Sequence, residues 1–161
     1  MVKLLVLDQQ LHQMVVAMQG FTIHGYFNMK YDTLSEAQAA GVAPWDDLVS
    51  EDFHVVVFRD RYPVTPGHLL FVPVYNSEGV IRDALGDAVQ KGERMVAAGE
   101  CEAFNVGLNM GTAAGQTVMY PHVHLIPRRA GDCTDPVGGV RGVIPGQANY
   151  KSSAYRLPAD D

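Results

Sequence analysis

The segment Tyr120–Pro127, which reads YPHVHLIP, decides both the fold and the site. Its apolar and aromatic composition indicates a β-strand, in which successive side chains point to opposite faces of a sheet. Tyr120, His122 and His124 are therefore expected on one face. Pro121 cannot donate a hydrogen bond within a sheet, which indicates a sheet edge or a strand end where that face can meet a ligand. The sequence thus predicts two neighbouring imidazoles on one strand face.

The residues just before this strand, GTAAGQTVM at positions 111–119, have the composition of a glycine-containing turn. Such a turn presents backbone N–H groups, and here the amide of Gln116 and the hydroxyl of Thr117 lie beside them. Hydrogen-bond donors grouped in this way suit a phosphate. The sequence therefore predicts a phosphate-binding turn next to the two histidines.

Three further segments have the composition of strands. Residues 53–58 (FHVVVF) and 68–74 (HLLFVPV) flank the turn RDRYPVTPG and form a hairpin-like pair. Residues 103–110 (AFNVGLNM) precede the glycine-containing turn and form the third. Together with the histidine segment they give four strands, which come as two successive pairs.

Two segments have helical patterns. Residues 78–100 (EGVIRDALGDAVQKGERMVAAGE) keep roughly helical apolar spacing and predict one main amphipathic helix that Gly99 ends. Its predicted apolar stripe consists of Ile81, Leu85, Ala88, Val89, Met95 and Val96. Residues 33–41 (TLSEAQAAG) predict a shorter helix in the N-terminal part, with Thr33 as its N-cap. Strand pairs on either side of a helix, without βαβ alternation, favour an α+β fold with an antiparallel sheet.

The size and charge of the chain narrow the class of protein. Its 161 residues fit one domain over 1–161, and 47% hydrophobic with 19% charged residues is typical of globular proteins. A net charge of −6 opposes a broad grip on a nucleic-acid polymer or a membrane surface. Cys101 and Cys133 form neither a disulfide scaffold nor a CxxC zinc site. We expect a soluble cytoplasmic protein, since the sequence shows no signal-peptide pattern and no membrane-spanning stretch.

The run AGQTVMYPHVHLIPRRAGD, together with RYPVTPGHLLFVP, resembles the histidine triad (HIT) superfamily of nucleotide hydrolases and transferases, and most of all its dinucleoside polyphosphate hydrolase branch. The resemblance covers residues 53–132, which form the motif-bearing core; residues 1–52 are divergent and residues 133–161 form a C-terminal tail. It implies the HIT fold. The triad of the family reads His-x-His-x-His, and here Tyr120 stands at its first position.

The resemblance implies a role for each residue of the motif. His122, at the middle position, is the expected nucleophile, which attacks the α-phosphorus of a nucleotide to give a covalent nucleotidyl-histidine. His124 is expected to donate to a phosphate oxygen, and Gln116 to act with these two histidines as a catalytic residue. Six residues are expected to bind or support the substrate. They are Asp60 at the ribose, Asn109 and Thr117 at the phosphate, His68 and Tyr120 as supports, and Phe58 at the base.

The implied function is cleavage of a dinucleoside polyphosphate or a related nucleotide conjugate by a homodimer. No cofactor and no metal site are expected, although Mg²⁺ can accompany a polyphosphate substrate. Three alternatives stay open at this point. One is a nucleoside phosphoramidate hydrolase of the same fold, and another is a nucleotide-binding sensor in which Tyr120 has removed turnover. The third is a metal-dependent hydrolase built on His68, His122 and His124.

Overall fold

The computed structural model describes residues 30–156, and the two chain ends outside this range include much of the divergent N-terminal segment. The first described helix, α1, spans Leu34–Ala39 and begins with the predicted N-cap. The Thr33 hydroxyl accepts from the backbone N–H of Glu36, whose carboxylate in turn accepts from the backbone N–H of Thr33. This reciprocal capping explains why so short a segment is helical. The prediction of a shorter N-terminal helix is confirmed.

Five antiparallel strands form one sheet with the order β1-β2-β3-β5-β4. The strands are β1 (Leu48–Glu51), β2 (Val55–Arg59), β3 (Leu69–Pro73), β4 (Ala103–Leu108) and β5 (Val123–Arg128). Four of them match the predicted segments, whereas β1 was not predicted. Strand β5 begins two residues after Pro121, so the proline marks a strand end rather than a sheet edge.

The main helix, α2, spans Glu78–Ala97 and packs across one face of the sheet, against side chains of β2, β3 and β5. The predicted apolar stripe is wrong in part. The buried positions of α2 are Ala84, Ala88, Gly92 and Met95, whereas Val89 and Val96 are 40% and 37% exposed. The helix lies so close to the sheet that small residues occupy the contact. A Cβ atom at Gly92 would stand 2.6 Å from the ring of Phe104.

The opposite face of the sheet carries a second apolar cluster beneath α1. Its buried members include Leu34, Phe58, Leu70 and Tyr120, and Trp45 packs against them. The predicted α+β architecture, with an antiparallel sheet and one main helix, is confirmed. No helix among residues 30–156 is long and apolar enough to cross a lipid bilayer.

Candidate active site

A cavity of about 1560 Å³ opens on the face of the sheet opposite α2. Leu70 of β3 pairs with His124 of β5, and both side chains point to this side while Val123 and Leu125 point to α2. The strand alternation predicted from the sequence therefore brings the histidines to the cavity. Six of the predicted site residues line it: Asp60, His68, Asn109, Thr117, His122 and His124.

The hydrogen bond of His122 fixes which of its ring nitrogens is free. Nδ1 lies 2.8 Å from the backbone carbonyl oxygen of Tyr120. A carbonyl oxygen only accepts, so Nδ1 carries the proton and Nε2 of the neutral ring holds a lone pair. Burial lowers the pKa of His122 below its usual value, although the same hydrogen bond and Asp60 act in the opposite direction. The side chain is therefore an oriented imidazole that is neutral near pH 7 and has the lone pair a nucleophile needs.

His68 and His124 form a hydrogen-bonded pair beside His122. Nε2 of His68 lies 3.0 Å from Nδ1 of His124, so the two nitrogens share one proton. The carboxylate of Asp60 lies 3.5 Å from Nδ1 of His68. Burial, together with the neighbouring His122 and His68, lowers the pKa of His124 to about 4. Nε2 of His124 is buried and has no hydrogen-bond partner among the described residues.

Gln116, which the sequence predicted to be catalytic, closes the glycine-containing turn with its side chain. The amide of Gln116 accepts from the backbone N–H of Gly111 (2.7 Å) and donates to the carbonyl of Val118 (3.0 Å). Gly111 and Gly115 adopt positive φ angles of 85° and 82°, which suit glycine. Gln116 is buried and does not line the cavity, whereas the adjacent Thr117 does. The structure thus gives Gln116 the task of shaping the turn.

Tyr120 lies beneath the site and not in it. Its side chain is fully buried, and the hydroxyl lies 3.0 Å from the carbonyl oxygen of Pro73 and 3.2 Å from that of Val74. The predicted contact between Tyr120 and a substrate is not available in this arrangement, because the ring fills the cluster under α1. Its contribution to the site comes through its backbone carbonyl, which orients His122.

Phe58, the predicted base contact, is also buried and does not reach the cavity. Trp45 covers it, with ring centroids 6.2 Å apart and planes inclined by 30°. Trp45 lines the cavity, and its ring centroid lies 4.9 Å from that of His122. Sequence reasoning missed this residue. The signal was present, since Trp45 is the only tryptophan of the chain and stands in the polar segment ahead of β1.

The guanidinium groups that line the cavity are each paired with a carboxylate. Arg59 and Arg61 lie 2.8 Å from Asp47 and Asp46 respectively, in exposed ion pairs at the mouth. Deeper in the cavity wall, Arg128 donates to both oxygens of one carboxylate and also to Asn105. That carboxylate belongs to Asp132, whose pKa the guanidinium holds well below its usual range.

A cation has one candidate ligand set among residues 30–156. It consists of Asp60, His68 and His124, whose ligand atoms all lie within 4.8 Å of one another. His122, which the metal-dependent alternative included, is not in this set, and its Nδ1 is engaged by the carbonyl of Tyr120.

These features define a class of protein: an α+β domain that presents an oriented neutral imidazole, a histidine pair and a closed glycine turn to one cavity. The sequence profile of the HIT domain matches residues 44–131, and the chain belongs to the HIT family. The AP-4-A phosphorylase of Mycobacterium tuberculosis is 38% identical over 138 residues, which cover 73% of this chain and 69% of that protein.

Further relatives extend the comparison. A HIT-like protein of Saccharolobus solfataricus is 33% identical over 87 residues, which cover 50% of this chain and 63% of that protein. The adenosine 5'-monophosphoramidase of Saccharomyces cerevisiae is 35% identical over 75 residues, which cover 45% of this chain and 48% of that enzyme. A Zn-bound histidine triad family protein from Mycobacterium smegmatis superposes with a TM-score of 0.53 at 25% identity, over 64% of this chain and 79% of that one. Two of these four relatives, the phosphorylase and the monophosphoramidase, have names that record nucleotide chemistry.

Proposed function

We propose that this protein cleaves nucleotide conjugates by transferring a nucleoside 5'-phosphoryl group to Nε2 of His122 and then to water. The observation that carries the proposal is the 2.8 Å hydrogen bond from Nδ1 of His122 to the carbonyl of Tyr120, which leaves the Nε2 lone pair free. This lone pair attacks the α-phosphorus, and the bond from phosphorus to the leaving group breaks. Water then attacks phosphorus, the N–P bond breaks, and a nucleoside monophosphate is released.

The residues around His122 support this chemistry. When the shared proton is on Nε2 of His68, Nδ1 of His124 accepts it as a hydrogen bond and Nε2 of His124 carries its own proton. His124 then donates from Nε2, which has no partner among the described residues, to a non-bridging phosphate oxygen. Asn109 and Thr117 contribute polar atoms to the same cavity. Asp60, at the start of the turn between β2 and β3, accepts from the ribose hydroxyls. The half-buried ring of Trp45, in place of Phe58, packs against the base.

The substrate class that we put first is a dinucleoside polyphosphate. The similarity to the AP-4-A phosphorylase, at 38% identity over 73% of this chain, supports it. A cavity of about 1560 Å³ also exceeds the roughly 300–1,000 Å³ of a typical small-ligand site and leaves room for a second nucleoside. With this substrate we propose a cytoplasmic homodimer that needs no cofactor, binds neither nucleic-acid polymers nor membranes, and tolerates Mg²⁺ on the polyphosphate.

The charge of the cavity favours a second candidate, a nucleoside phosphoramidate. Arg59, Arg61 and Arg128 are the arginines that line it within the described residues, and each is paired with an aspartate. Asp60 adds a further negative charge. A polyphosphate would bring several more negative charges, whereas a phosphoramidate brings about one, and its leaving group is an amine. The monophosphoramidase relative belongs to this second class by its name.

A substrate panel separates these functions. Purified protein is offered dinucleoside polyphosphates and an adenosine 5'-phosphoramidate, each with and without EDTA, and products are resolved by chromatography. A nucleotide-sized mass on the peptide that contains His122, after a quench that spares acid-labile bonds, is the expected signature of the covalent step. Binding of AMP without turnover of any substrate would instead identify a nucleotide sensor, and turnover that EDTA abolishes would identify a metal-dependent hydrolase.

A further inference from the structure

The turn between β2 and β3, residues 60–68, carries His68 just past the end of a strand pairing. The pairing of β3 with β5 sets Leu70 opposite His124 and ends at Leu69. His68 lies two positions before Leu70, so it is the diagonal neighbour of His124 on the same face of the sheet. The 3.0 Å hydrogen bond between Nε2 of His68 and Nδ1 of His124 therefore depends on how the turn lies on β5.

Two side chains join the turn to β5 where the strand pairing has ended. The Thr65 hydroxyl donates to the backbone carbonyl of Pro127 at 2.7 Å. The Arg129 guanidinium donates to the carbonyl of Pro66 at 3.1 Å and to the carbonyl of Glu100, which follows α2, at 2.7 Å. These hydrogen bonds connect the turn with the end of β5 and with the end of the main helix.

Arg129 acts on the main chain and not on the cavity. It does not line the cavity, whereas the preceding Arg128 does, and the hydrogen bonds of its guanidinium go to main-chain carbonyls. Hydrogen bonds from a charged donor are about twice as strong as neutral ones. The turn also lies directly against β5, since a Cβ atom at Gly67 would stand 3.4 Å from the side chain of Pro127. Any effect of Arg129 on the site therefore passes through the turn.

We propose that Thr65 and Arg129 are positioning residues, which hold the β2–β3 turn on β5 and thereby set the hydrogen bond between His68 and His124. Without these two side chains the turn keeps its internal bond from the N–H of His68 to the carbonyl of Thr65, but it can shift relative to β5. The two ring nitrogens would then separate. The consequence for turnover rests on the proposed function, in which the oriented ring of His124 donates to a phosphate oxygen.

The hydrogen bond of the histidine pair is measured first in the protein without nucleotide. When histidine is labelled with nitrogen-15, ring N–H protons that are shielded from solvent give separate low-field NMR signals. We expect one such signal from the pair of His68 and His124 and another from His122, whose Nδ1 donates to the carbonyl of Tyr120. The first signal should disappear in His124→Gln, which assigns it, while the second should remain.

Thr65→Val and Arg129→Gln together remove both connections while His68 and His124 stay in place. We expect this double variant to lose the signal of the histidine pair and to keep the signal of His122, whose hydrogen bond joins two residues of one segment. Retention of both signals would show that the turn is held without these side chains. Loss of both signals would show a general loosening of the sheet. Either result would overturn the proposal.

Two further variants control for the substitutions themselves. Thr65→Ser keeps the hydroxyl and should retain both signals. Arg82→Gln removes a guanidinium from an exposed ion pair with Glu78 on α2 and should change neither signal. Loss of the histidine-pair signal in Arg82→Gln would overturn the proposal, because that variant leaves both connections intact. Circular dichroism shows that each variant is folded before the spectra are compared, and if the double variant fails this check, the two single variants carry the comparison.

Turnover is then measured in Arg129→Gln, because Arg129 lies outside the cavity lining whereas Thr65 belongs to it. We expect kcat to fall about tenfold and KM to change less than about threefold, since a small displacement of a group that acts on the transition state lowers the rate. A lost pair signal with unchanged kcat would contradict the role of His124 in the proposed function and not the positioning. A protein that turns over no nucleotide would contradict the proposed function alone, because the NMR comparison needs no substrate.

Discussion

The backbone carbonyl of Tyr120 holds Nδ1 of His122 at 2.8 Å, and the hydroxyl of the same tyrosine is anchored beneath the sheet at the carbonyl oxygens of Pro73 and Val74. One residue thus ties the orientation of the His122 ring to the apolar cluster under α1. The side chain at the first triad position acts as an anchor, because its hydroxyl and its ring are both used within the fold. Its effect on chemistry passes through the main chain.

Removal of the proposed nucleophile, His122, should separate binding from turnover. His122→Ala is expected to abolish hydrolysis while the dissociation constant for AMP stays within about tenfold, since the polar groups at Asp60, Asn109 and Thr117 remain. Steady-state rates and calorimetry measure the two quantities. Wild-type rates in this variant would exclude the covalent mechanism.

Tyr120→Phe should reduce stability more than activity. The substitution removes the hydroxyl from the carbonyls of Pro73 and Val74, of which Val74 still accepts from the backbone N–H of Leu34. Loss of a buried hydrogen bond of this kind costs about 1–3 kcal/mol. The carbonyl of residue 120 still accepts from His122, so kcat should stay within a few fold. Chemical denaturation and steady-state kinetics test this pair of results. A loss of kcat by a hundredfold in a protein of unchanged stability would show that the hydroxyl takes part in the reaction.

Tyr120→His extends the same argument to the triad pattern. The imidazole is shorter than the phenol and leaves part of the volume under α1 empty. It also places polar ring nitrogens next to the apolar side chains of Phe58 and Leu70. We expect lower stability than in Tyr120→Phe and no gain in turnover, measured by the same denaturation and kinetic assays. A rise in kcat would mean that the first triad position needs an imidazole after all.

The pH dependence follows from the lowered pKa values of the site histidines. Burial lowers the pKa of His68, His122 and His124 in the fold, to about 4 for His124, whereas an unfolded histidine titrates near pH 6.5. Below pH 6.5 the unfolded chain therefore binds more protons than the folded one, and stability falls as the pH decreases from 6.5 towards 4.

Thermal unfolding between pH 7.5 and 4.5 measures this loss. His124→Gln should flatten the decrease in Tm over that range, because it removes the histidine with the lowest pKa. A wild-type Tm that stays constant or rises as the pH falls would contradict the lowered pKa values.

Two glycines of α2 offer a matched test of how the helix meets the sheet. Gly92→Ala places a methyl group 2.6 Å from the ring of Phe104 and is expected to destabilise by about 1–3 kcal/mol. Gly86→Ala adds its methyl group where nothing lies within 4 Å, so it should stabilise by about 0.5–1 kcal/mol through helix propensity. Urea denaturation compares them. Equal effects of the two substitutions would show that α2 does not pack tightly at Gly92.

The parts of the fold that the sequence predicted are those with local patterns. A few neighbouring residues are enough to predict the capped helix at Thr33, the β-branched strand β2 and the alternating strand β5. Strand β1, with all four residues exposed, lacks such a pattern because it is held by pairing with β2 at the sheet edge. The buried stripe of α2 was misjudged because Phe104, a residue of another element, sets how close the helix lies.

The site shows the same division. His122 and His124 were placed on one strand face by alternation alone, and both line the cavity. Whether a side chain points into the cavity or ends below it depends on contacts distant in sequence. Trp45 covers Phe58, and carbonyls at the end of β3 hold the Tyr120 hydroxyl. The exchange of Phe58 for Trp45 at the cavity surface therefore could not be derived from either segment alone.

Trp45 should contact the nucleobase, so that its fluorescence changes on binding and its ring contributes part of the affinity for AMP. Its ring lines the cavity 4.9 Å from the ring of His122, and stacking of a base on an aromatic side chain contributes about 1–3 kcal/mol. Trp45→Leu is therefore expected to weaken AMP about tenfold and to leave ribose 5-phosphate, which has no base, unchanged. Trp45→Phe, which keeps an aromatic face, should recover most of the affinity for AMP.

Because Trp45 is the only tryptophan of the chain, its fluorescence in the wild type should respond to AMP and far less to ribose 5-phosphate. Equal losses for both ligands in Trp45→Leu would show that the indole shapes the phosphate site, and no loss for either would place the base elsewhere in the cavity.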